Sequence, residues 1–186
     1  MEIELLKKAL SSKITPTIKN DGQTKLAAVL IVIYGKEPMI IMTERPKTMN
    51  QHAGEISFPG GTWTQNDNDL LTTAIRETKE EMNLGISRQQ IIGQIKPVTT
   101  LNSGFTIMPF ICILDEIPQL ISNSEIESIL HIPLIPLLKT IEDDHDSSHK
   151  SIQEMYTFKY QYHLIWGASA RMLKQISNLL SKTGLL

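Results

Sequence analysis

Two adjacent glycines that precede an amphipathic helical pattern constrain this chain more than any other feature of its sequence. Gly60 and Gly61 allow backbone conformations, and a close approach to a ligand, that a side chain would block. After them, a mostly apolar stripe recurs at helical spacing and predicts a helix from about Asp69 to Met82; it comprises Leu71, Ala74, Ile75, Thr78 and Met82. The sequence therefore predicts a glycine loop that leads into a helix packed through one face.

An acidic patch of three glutamates lies on a different face of this predicted helix. Glu77, Glu80 and Glu81 stand at positions i, i+3 and i+4, so close pairs repel each other by roughly 0.2–0.5 kcal/mol. An ordinary solvated helix face is one interpretation of such a patch. The other is a site for a divalent cation, since Mg²⁺ takes oxygen ligands and leaves positions for substrate phosphates. The glycine loop directly upstream favours the metal-binding interpretation.

The segment from Gly61 to Leu84 resembles the Nudix box, the motif of the Nudix hydrolase superfamily. The matching residues are Gly61, Arg76, Glu77, Glu80, Glu81 and Leu84. The spacing from Gly61 to Arg76 is one residue longer than in the general pattern. The upstream acid is Asp67 or Asp69, and Asn83 replaces the late glycine. The resemblance implies an α/β fold, the Nudix α/β/α sandwich with a mixed β-sheet between helices.

Further segments resemble the coenzyme A pyrophosphatase branch of this superfamily, for which the one-residue insertion is typical. Residues 41–45 (Ile-Met-Thr-Glu-Arg) and 54–61 (Gly-Glu-Ile-Ser-Phe-Pro-Gly-Gly) match the branch signature, with Asn50 in place of its middle arginine. Residues 165–171 (Ile-Trp-Gly-Ala-Ser-Ala-Arg) resemble a later stretch of the same branch. The resemblance implies hydrolysis of coenzyme A or acyl-CoA to 3′,5′-ADP and (acyl-)4′-phosphopantetheine.

Two alternatives stay open at this point. One is a Nudix hydrolase that acts on ADP-ribose, dinucleotides or NTPs. The other is a catalytically silent Nudix domain that serves as a nucleotide sensor or interaction module. The intact run from Arg76 to Glu81 argues against the silent domain, because a sensor has little need of a repulsive carboxylate cluster.

The resemblance also assigns roles to residues of the acidic patch. Glu77 and Glu81 are the expected ligands of Mg²⁺ or Mn²⁺, and Glu80 is a further ligand or the catalytic base. Arg76 is expected to orient a glutamate through a bidentate ion pair. A backbone carbonyl of Gly60 or Gly61 is expected to complete the coordination, with Gly61 as the first choice.

The substrate is expected to contact the loop that precedes the glycine turn. Arg45 and His52 are the candidate side chains there, and the backbones of Gly60 and Gly61 are expected to approach the phosphates closely. Asn50 removes one charge-assisted phosphate contact if the arginine of the branch signature makes one.

The whole chain predicts a single domain over residues 1–186, with about residues 1–20 as an N-terminal helical extension. Its single cysteine, Cys112, lies in an apolar run and is expected to be a buried thiol. The net charge of −2 without a basic run makes nucleic acid an unexpected partner. The absence of a signal sequence and of a long apolar stretch predicts a cytoplasmic protein without membrane contact. The expected partner is a small nucleotide substrate, and a homodimer is left open.

The periodicity of the chain predicts the remaining elements. We expect a buried strand over Lys25 to Tyr34, short helices over Ile3 to Leu10 and Glu125 to Leu130, and a closing helix over Gly167 to Leu180. Further strands are predicted over Pro38 to Thr43, Ser57 to Phe58, Ile91 to Val98, Thr106 to Leu114 and Met155 to Leu164. A charged loop is predicted from Glu142 to Ser151.

Overall fold

The apolar strand β1 (Lys25–Tyr34) lies at the centre of a mixed sheet. The computed structural model describes residues 3–17, 24–48, 53–100, 103–145 and 155–186. Strand β7 (Phe105–Leu114) runs parallel to β1 along the full length of both strands. Residues of both strands are buried on the two faces of the sheet, which explains why each sequence reads as a nearly continuous apolar run.

The other strands are added around this parallel pair in antiparallel orientation. They are β2 (Met39–Glu44), β3 (Ile56–Ser57), β4 (Gly60–Thr62), β5 (Ile91–Gln94), β6 (Val98–Thr99) and β8 (Ser128–Pro133). The order across the sheet is β3-β2-β1-β7-β5, while β4 pairs with β1, β6 with β7 and β8 with β2. A smaller sheet has the order β11-β10-β9 and consists of β9 (Glu142–Asp143), β10 (Tyr156–Tyr160) and β11 (His163–Ile165).

Helices cover both faces of the large sheet, which confirms the α/β/α arrangement. Helix α2 (Leu70–Met82) packs through Leu70, Leu71 and Ala74 on the face that carries Cys112, which is buried as expected. The opposite face is covered by α1 (Ile3–Leu10), α3 (Leu134–Leu138) and α4 (Gly167–Lys182). The inward residues predicted for α4, which are Ala170, Leu173, Ile176 and Leu180, are fully buried.

Strands β1 and β2 separate after a short paired region, and this opening receives the glycine turn. They pair only where Ile33 and Tyr34 face Ile40 and Met39. Beyond that point β1 pairs with β4, and β2 pairs with β3. The two-residue connection between β3 and β4 crosses the opening, where the Leu30 N–H donates to the Pro59 carbonyl at 2.9 Å.

Helix α2 has the boundaries that its sequence predicts. The carboxylate of Asp69 caps the N-terminus by accepting from the Thr72 N–H at 2.8 Å. Asn83 ends the helix in the left-handed conformation, with φ of 56°. Thr78 fits the buried side because its hydroxyl donates to the Ala74 carbonyl at 2.7 Å.

Three of the predicted elements are wrong. The helix predicted from Glu125 to Leu130 is instead a turn followed by β8, which pairs with β2 along six residues. The strand predicted over Ile91 to Val98 is divided into β5 and β6. The strand predicted over Met155 to Leu164 is a hairpin, β10–β11, with Gln161 at φ of 53°. In addition, β9 occupies the start of the predicted charged loop, and residues 146–151 of that loop lie outside the described residues.

The N-terminal helix is part of the core rather than a peripheral addition. Leu6 and Leu10 of α1 are buried against α4 and the sheet. The chain after α1 is fixed to β5, because the Ser12 hydroxyl donates to the Gln94 carbonyl and accepts from the Gln94 N–H, both at 2.8 Å. Gly93 permits this contact, since a Cβ there would lie 2.5 Å from the Leu10 carbonyl oxygen.

We therefore predict that Gly93→Ala lowers the free energy of unfolding by about 1–3 kcal/mol, because the new methyl group meets backbone that cannot easily move. Gly85→Ala is the matched control, since a Cβ at Gly85 would meet nothing within 4 Å. It should be neutral or stabilising by about 0.4–1 kcal/mol. Urea unfolding measures both values, and an equal effect of the two substitutions would contradict the packing of the N-terminal segment.

Candidate active site

The two adjacent glycines bring the start of β4 against helix α2. The Gly60 N–H donates to Oε2 of Glu81 at 3.1 Å. A Cβ on Gly61 would lie 2.5 Å from the carboxyl carbon of Glu77, so only glycine leaves space for that carboxylate. Gly60 is required for a different reason, since its φ is 149° and a Cβ there would lie 2.2 Å from the Ala28 carbonyl oxygen. Both glutamates therefore face the glycine turn.

These two carboxylates are withdrawn from solvent. The side chain of Glu77 is 17% exposed and Glu81 is 6% exposed. Burial raises the pKa of Glu77. Burial also raises the pKa of Glu81 to about 7; the hydrogen bond from Gly60 opposes this shift and the charge of Glu77 adds to it. The site thus holds two acids, one helical turn apart, and burial outweighs the neighbouring positive charges in its effect on the pKa of each.

Glu80 differs from the other two glutamates of the patch. Its side chain is 54% exposed and its carboxylate lies 3.0 Å from Nη1 of Arg76. The three glutamates therefore do not share one surface: Glu77 and Glu81 face the glycine turn, and Glu80 faces outward. An ordinary solvated acidic face is excluded for the inner two.

The expectation that Arg76 forms its bidentate pair with a glutamate is wrong. The partner is Asp67, whose two oxygens accept from Nε at 2.9 Å and from Nη2 at 3.0 Å. Nη1 remains for Glu77, at 2.8 Å, and for Glu80. Arg76 holds the pKa of the buried Asp67 carboxyl down to about 2, and hydrogen bonds from Thr64 and Thr73 contribute. A buried carboxylate with this many donors is a better partner for a guanidinium than an exposed glutamate.

Two aspartates of the loop have separate structural functions. The sequence left Asp67 and Asp69 as equal candidates for the upstream acid. The structure assigns Asp67 to Arg76, whereas Asp69 caps α2 and accepts from Arg88 at 2.7 Å. The loop between β4 and α2 is thus hydrogen-bonded to its surroundings through both aspartates. These bonds fix the position of the glycine turn relative to the helix.

Of the two side chains predicted to contact the substrate, Arg45 belongs to the described residues. The backbone of Arg45 is fixed, since its N–H donates to the Glu55 carbonyl and its carbonyl accepts from the Gly54 N–H, both at 3.1 Å. Its positive charge lowers the pKa of Glu81, so the guanidinium is within electrostatic range of the carboxylates. His52 and Asn50 lie outside the described residues.

Glu125 lies close enough to act on the site, although no motif in the sequence marks it as a site residue. The segment before β8 packs on the end of α2, where the Asn123 N–H donates to the Glu81 carbonyl at 2.9 Å. The Asn123 side chain then accepts from the Glu125 N–H at 2.9 Å. The charge of Glu125 raises the pKa of both Glu77 and Glu81. Hydrophobic periodicity does not identify Glu125 as a site residue, because it lies in a turn and not in a helix.

The glycine turn is suited to a hard divalent cation that is shared with a substrate. Within the described ranges, no three His, Cys, Asp or Glu side chains are grouped closely enough to enclose a metal. Mg²⁺ commonly uses one or two carboxylates and completes its shell with water and substrate phosphates. Glu77 and Glu81 fit this requirement, since both are buried carboxylates with raised pKa values beside a glycine-lined space, and the ion pair with Arg76 reaches only Glu77.

Comparison with known proteins identifies the family. The profile of the NUDIX domain matches residues 24–152, a segment that contains the glycine turn and helix α2. The chain belongs to the Nudix hydrolase family. It is 32% identical over 165 residues to an uncharacterised Nudix hydrolase, NudL, of Photorhabdus laumondii, with 87% of this chain and 88% of the relative covered. A NudL of Cronobacter sakazakii is 28% identical, with 84% and 82% covered.

Solved structures share the Nudix fold at low sequence identity. A MutT/nudix family protein from Enterococcus faecalis superposes with a TM-score of 0.62 at 14% identity, and the match covers 91% of this chain and 66% of that protein. The NUDIX domain of Shewanella oneidensis NrtR, solved with ADP-ribose, gives a TM-score of 0.52 at 16% identity, with 75% and 87% covered.

Family membership identifies the chain as a Nudix hydrolase, a class of enzymes that generally need divalent metal ions. Among the helices of the described ranges, none combines the length and the apolar character needed to cross a bilayer.

Gly61→Ala and Gly60→Ala should have different effects, although the two residues are adjacent. At Gly61 the new methyl group meets the end of a flexible side chain, so we expect Glu77 to move, the fold to persist and Mg²⁺ affinity to fall by about tenfold or more. At Gly60 the new methyl group meets the backbone of Ala28, and the φ of Gly60 is one that other residues rarely adopt. We therefore expect the free energy of unfolding to fall by more than about 2 kcal/mol. Thermal unfolding and Mg²⁺ titration measure the two effects, and a destabilised Gly61→Ala would contradict the geometry.

Glu81 should also produce a pH dependence of stability in the metal-free protein. Its folded pKa of about 7 exceeds the ordinary 4.5, so the folded state holds this proton more tightly than the unfolded state. Stability from this group is therefore complete below about pH 4.5 and is lost as pH rises through 7, by on the order of 3 kcal/mol. Unfolding in EDTA between pH 5 and 8 should show this loss, and Glu81→Gln should remove it. His131, whose pKa burial lowers, contributes equally to both proteins. If the free energy of unfolding varied with pH in the same way in wild type and in Glu81→Gln, the raised pKa of Glu81 would be contradicted.

Proposed function

We propose that this Nudix hydrolase cleaves the diphosphate bond of coenzyme A or an acyl-CoA, yielding 3′,5′-ADP and (acyl-)4′-phosphopantetheine. The observation that carries the diphosphatase chemistry is the pair of buried carboxylates, Glu77 and Glu81, that face the glycine turn. Diphosphate substrates bring the additional oxygens that a cation held by two carboxylates still needs.

In this proposal Glu77 and Glu81 hold Mg²⁺ or Mn²⁺, with a carbonyl of the glycine turn, that of Gly61, as a further ligand. The cation, when bound, offsets the negative charge that develops on the diphosphate oxygens and lowers the pKa of water. The N–H of Gly60 orients the Glu81 carboxylate through its hydrogen bond. Arg76 holds Glu77 at 2.8 Å while Asp67 fixes the guanidinium from behind.

Glu80 is the proposed base or further ligand in this arrangement. It is exposed, so it can receive a proton from water and release it to solvent. Its ion pair with Arg76 places it on the same guanidinium that positions Glu77. Glu125 is a second carboxylate within electrostatic range of the metal ligands and is the alternative candidate for this function.

The choice of coenzyme A is supported by the branch signature in residues 41–45 and 54–61. Arg45 ends the first of these segments, and its charge acts on Glu81, so this residue of the signature lies within electrostatic range of the carboxylates. A nucleotide phosphate beside these acids would find its cationic partner in Arg45. ADP-ribose, present in the related NrtR structure, is the nearest alternative substrate.

A substrate panel tests the proposal. Diphosphate cleavage is followed with Mg²⁺ and with Mn²⁺ for coenzyme A, dephospho-CoA, ADP-ribose, NADH and NTPs. We expect kcat/KM for coenzyme A to exceed that for ADP-ribose and NTPs by at least about tenfold, because remote groups of a cognate substrate contribute to transition-state binding. If ADP-ribose or an NTP is preferred by the same factor, the branch assignment fails and the Nudix assignment stands. No turnover of any substrate would support the sensor alternative.

The controls for this panel come from the acidic patch itself. Glu77→Gln and Glu81→Gln should each lose most activity while melting at or above the wild-type temperature without metal, because a buried like-charge pair is relieved. Glu77→Gln with wild-type turnover at limiting Mg²⁺ would overturn the ligand assignment. Glu80→Gln distinguishes the two roles proposed for Glu80. Loss of a catalytic base would lower kcat at an unchanged Mg²⁺ requirement, whereas loss of a metal ligand would raise that requirement.

A further inference from the structure

The segment that precedes β8 closes the C-terminal end of helix α2. The last carbonyls of a helix have no partner within the helix itself. Here the Ile121 N–H donates to the Met82 carbonyl at 3.1 Å, and the Asn123 N–H donates to the Glu81 carbonyl at 2.9 Å. The backbone of this segment is therefore attached to the residue that carries one of the two inner carboxylates.

The side chain of Asn123 folds the residues that follow it into a tight turn. Its Oδ1 accepts from the Glu125 N–H at 2.9 Å, and its carbonyl accepts from the Ile126 N–H at 3.3 Å. A side-chain acceptor for the N–H two residues later is an Asx turn, a conformation that asparagine favours. Ile126 is buried and holds the far side of the turn. The Asn123 side chain thus fixes the backbone at Glu125.

The other end of the turn is attached to strand β2. The Glu127 N–H donates to the Glu44 carbonyl at 2.9 Å, and the Ser128 hydroxyl donates to Oε2 of Glu44 at 2.8 Å. Glu125 lies between these attachments and those to α2, and it is exposed. A short turn held at both ends by regular elements presents such a side chain in a defined place.

The charge of Glu125 reaches the inner carboxylates. Burial is the main cause of the raised pKa values of Glu77 and Glu81, and the negative charge of Glu125 adds to both. In the metal-free protein these like charges oppose ionisation. A bound divalent cation reverses the sign of this effect, because the affinity of an oxygen-ligand site depends on the number of charges around it.

We propose that Asn123 is a positioning residue, whose side chain holds the turn that keeps Glu125 beside the cation site of Glu77 and Glu81. Without this side chain the Glu125 N–H loses its acceptor, and the turn gains other conformations in which the carboxylate lies farther from the cation. The backbone N–H of Asn123 still bonds to the Glu81 carbonyl, so the end of α2 stays closed. The inference rests on the cation site of the proposed function and not on the identity of the substrate.

The test measures Mn²⁺ affinity by electron paramagnetic resonance without substrate. We expect Asn123→Ala and Glu125→Gln each to weaken binding by about tenfold, as the loss of a group that supports a metal site does. Asn123→Gln should behave like Asn123→Ala, because its acceptor is displaced by one methylene group. Asn123→Ser keeps a weaker acceptor for the same turn and should stay within about threefold of wild type. Ser122→Ala, at the exposed neighbouring residue, is the control and should bind as wild type does.

The double variant decides whether Asn123 acts through Glu125. If it does, Asn123→Ala causes no further loss of Mn²⁺ affinity in a Glu125→Gln background. An equal loss in both backgrounds would overturn the proposal, because Asn123 would then act on α2 directly. Unchanged affinity in Asn123→Ala and Asn123→Gln, or in Glu125→Gln, would overturn it as well.

Failure of this inference is distinguishable from failure of the proposed function. If wild type binds no Mn²⁺, the cation site and the role of Asn123 fail together. If wild type binds Mn²⁺ and the Asn123 variants bind it equally well, only the positioning role fails. Failure of coenzyme A as a substrate leaves the Mn²⁺ measurement intact, because no turnover is involved.

Discussion

The ion pair between Arg76 and Asp67 is the interaction on which the geometry of the active site depends. Asp67 is almost completely buried and accepts from Arg76, Thr64 and Thr73, so its charge is fully partnered. The pair joins the loop after β4 to the middle of α2 and leaves one guanidinium nitrogen for Glu77. Removing one member of such a pair costs about 3–5 kcal/mol when the other charge stays buried. The same contact therefore serves both stability and ligand orientation.

The burial of the two inner glutamates lowers the stability of the metal-free protein. Glu77 and Glu81 are buried beside one another and near Glu125, an arrangement that opposes their ionisation. Glycine at two successive positions makes this possible, because neither residue presents a methyl group to the carboxylates or to β1. A folded protein tolerates such an arrangement where a bound cation completes it, and Nudix hydrolases generally work with divalent cations.

Much of this architecture was predictable from the sequence. The long apolar run of β1 and the capped, periodic pattern of α2 were assigned correctly, because local signals and tertiary packing agree there. The helix predicted over Glu125 to Leu130 is wrong because pairing with β2 overrides a weak helical pattern. Within the site, helical spacing could not separate Glu80 from Glu77 and Glu81, since that distinction depends on the missing Cβ of Gly61 and on Arg76. Nor could it choose between Asp67 and Asp69, which only the path of the loop decides.

The burial of Cys112 in the central parallel strand has a practical consequence. Its thiol has no solvent exposure and its pKa is raised to about 12 by burial. At neutral pH almost no thiolate is present, and thiolate is the species that alkylating and maleimide reagents attack. A cysteine introduced at a surface position would therefore be the only one to react in the folded protein. Site-specific fluorophores and spin labels can thus be attached to this hydrolase while its native cysteine stays in place.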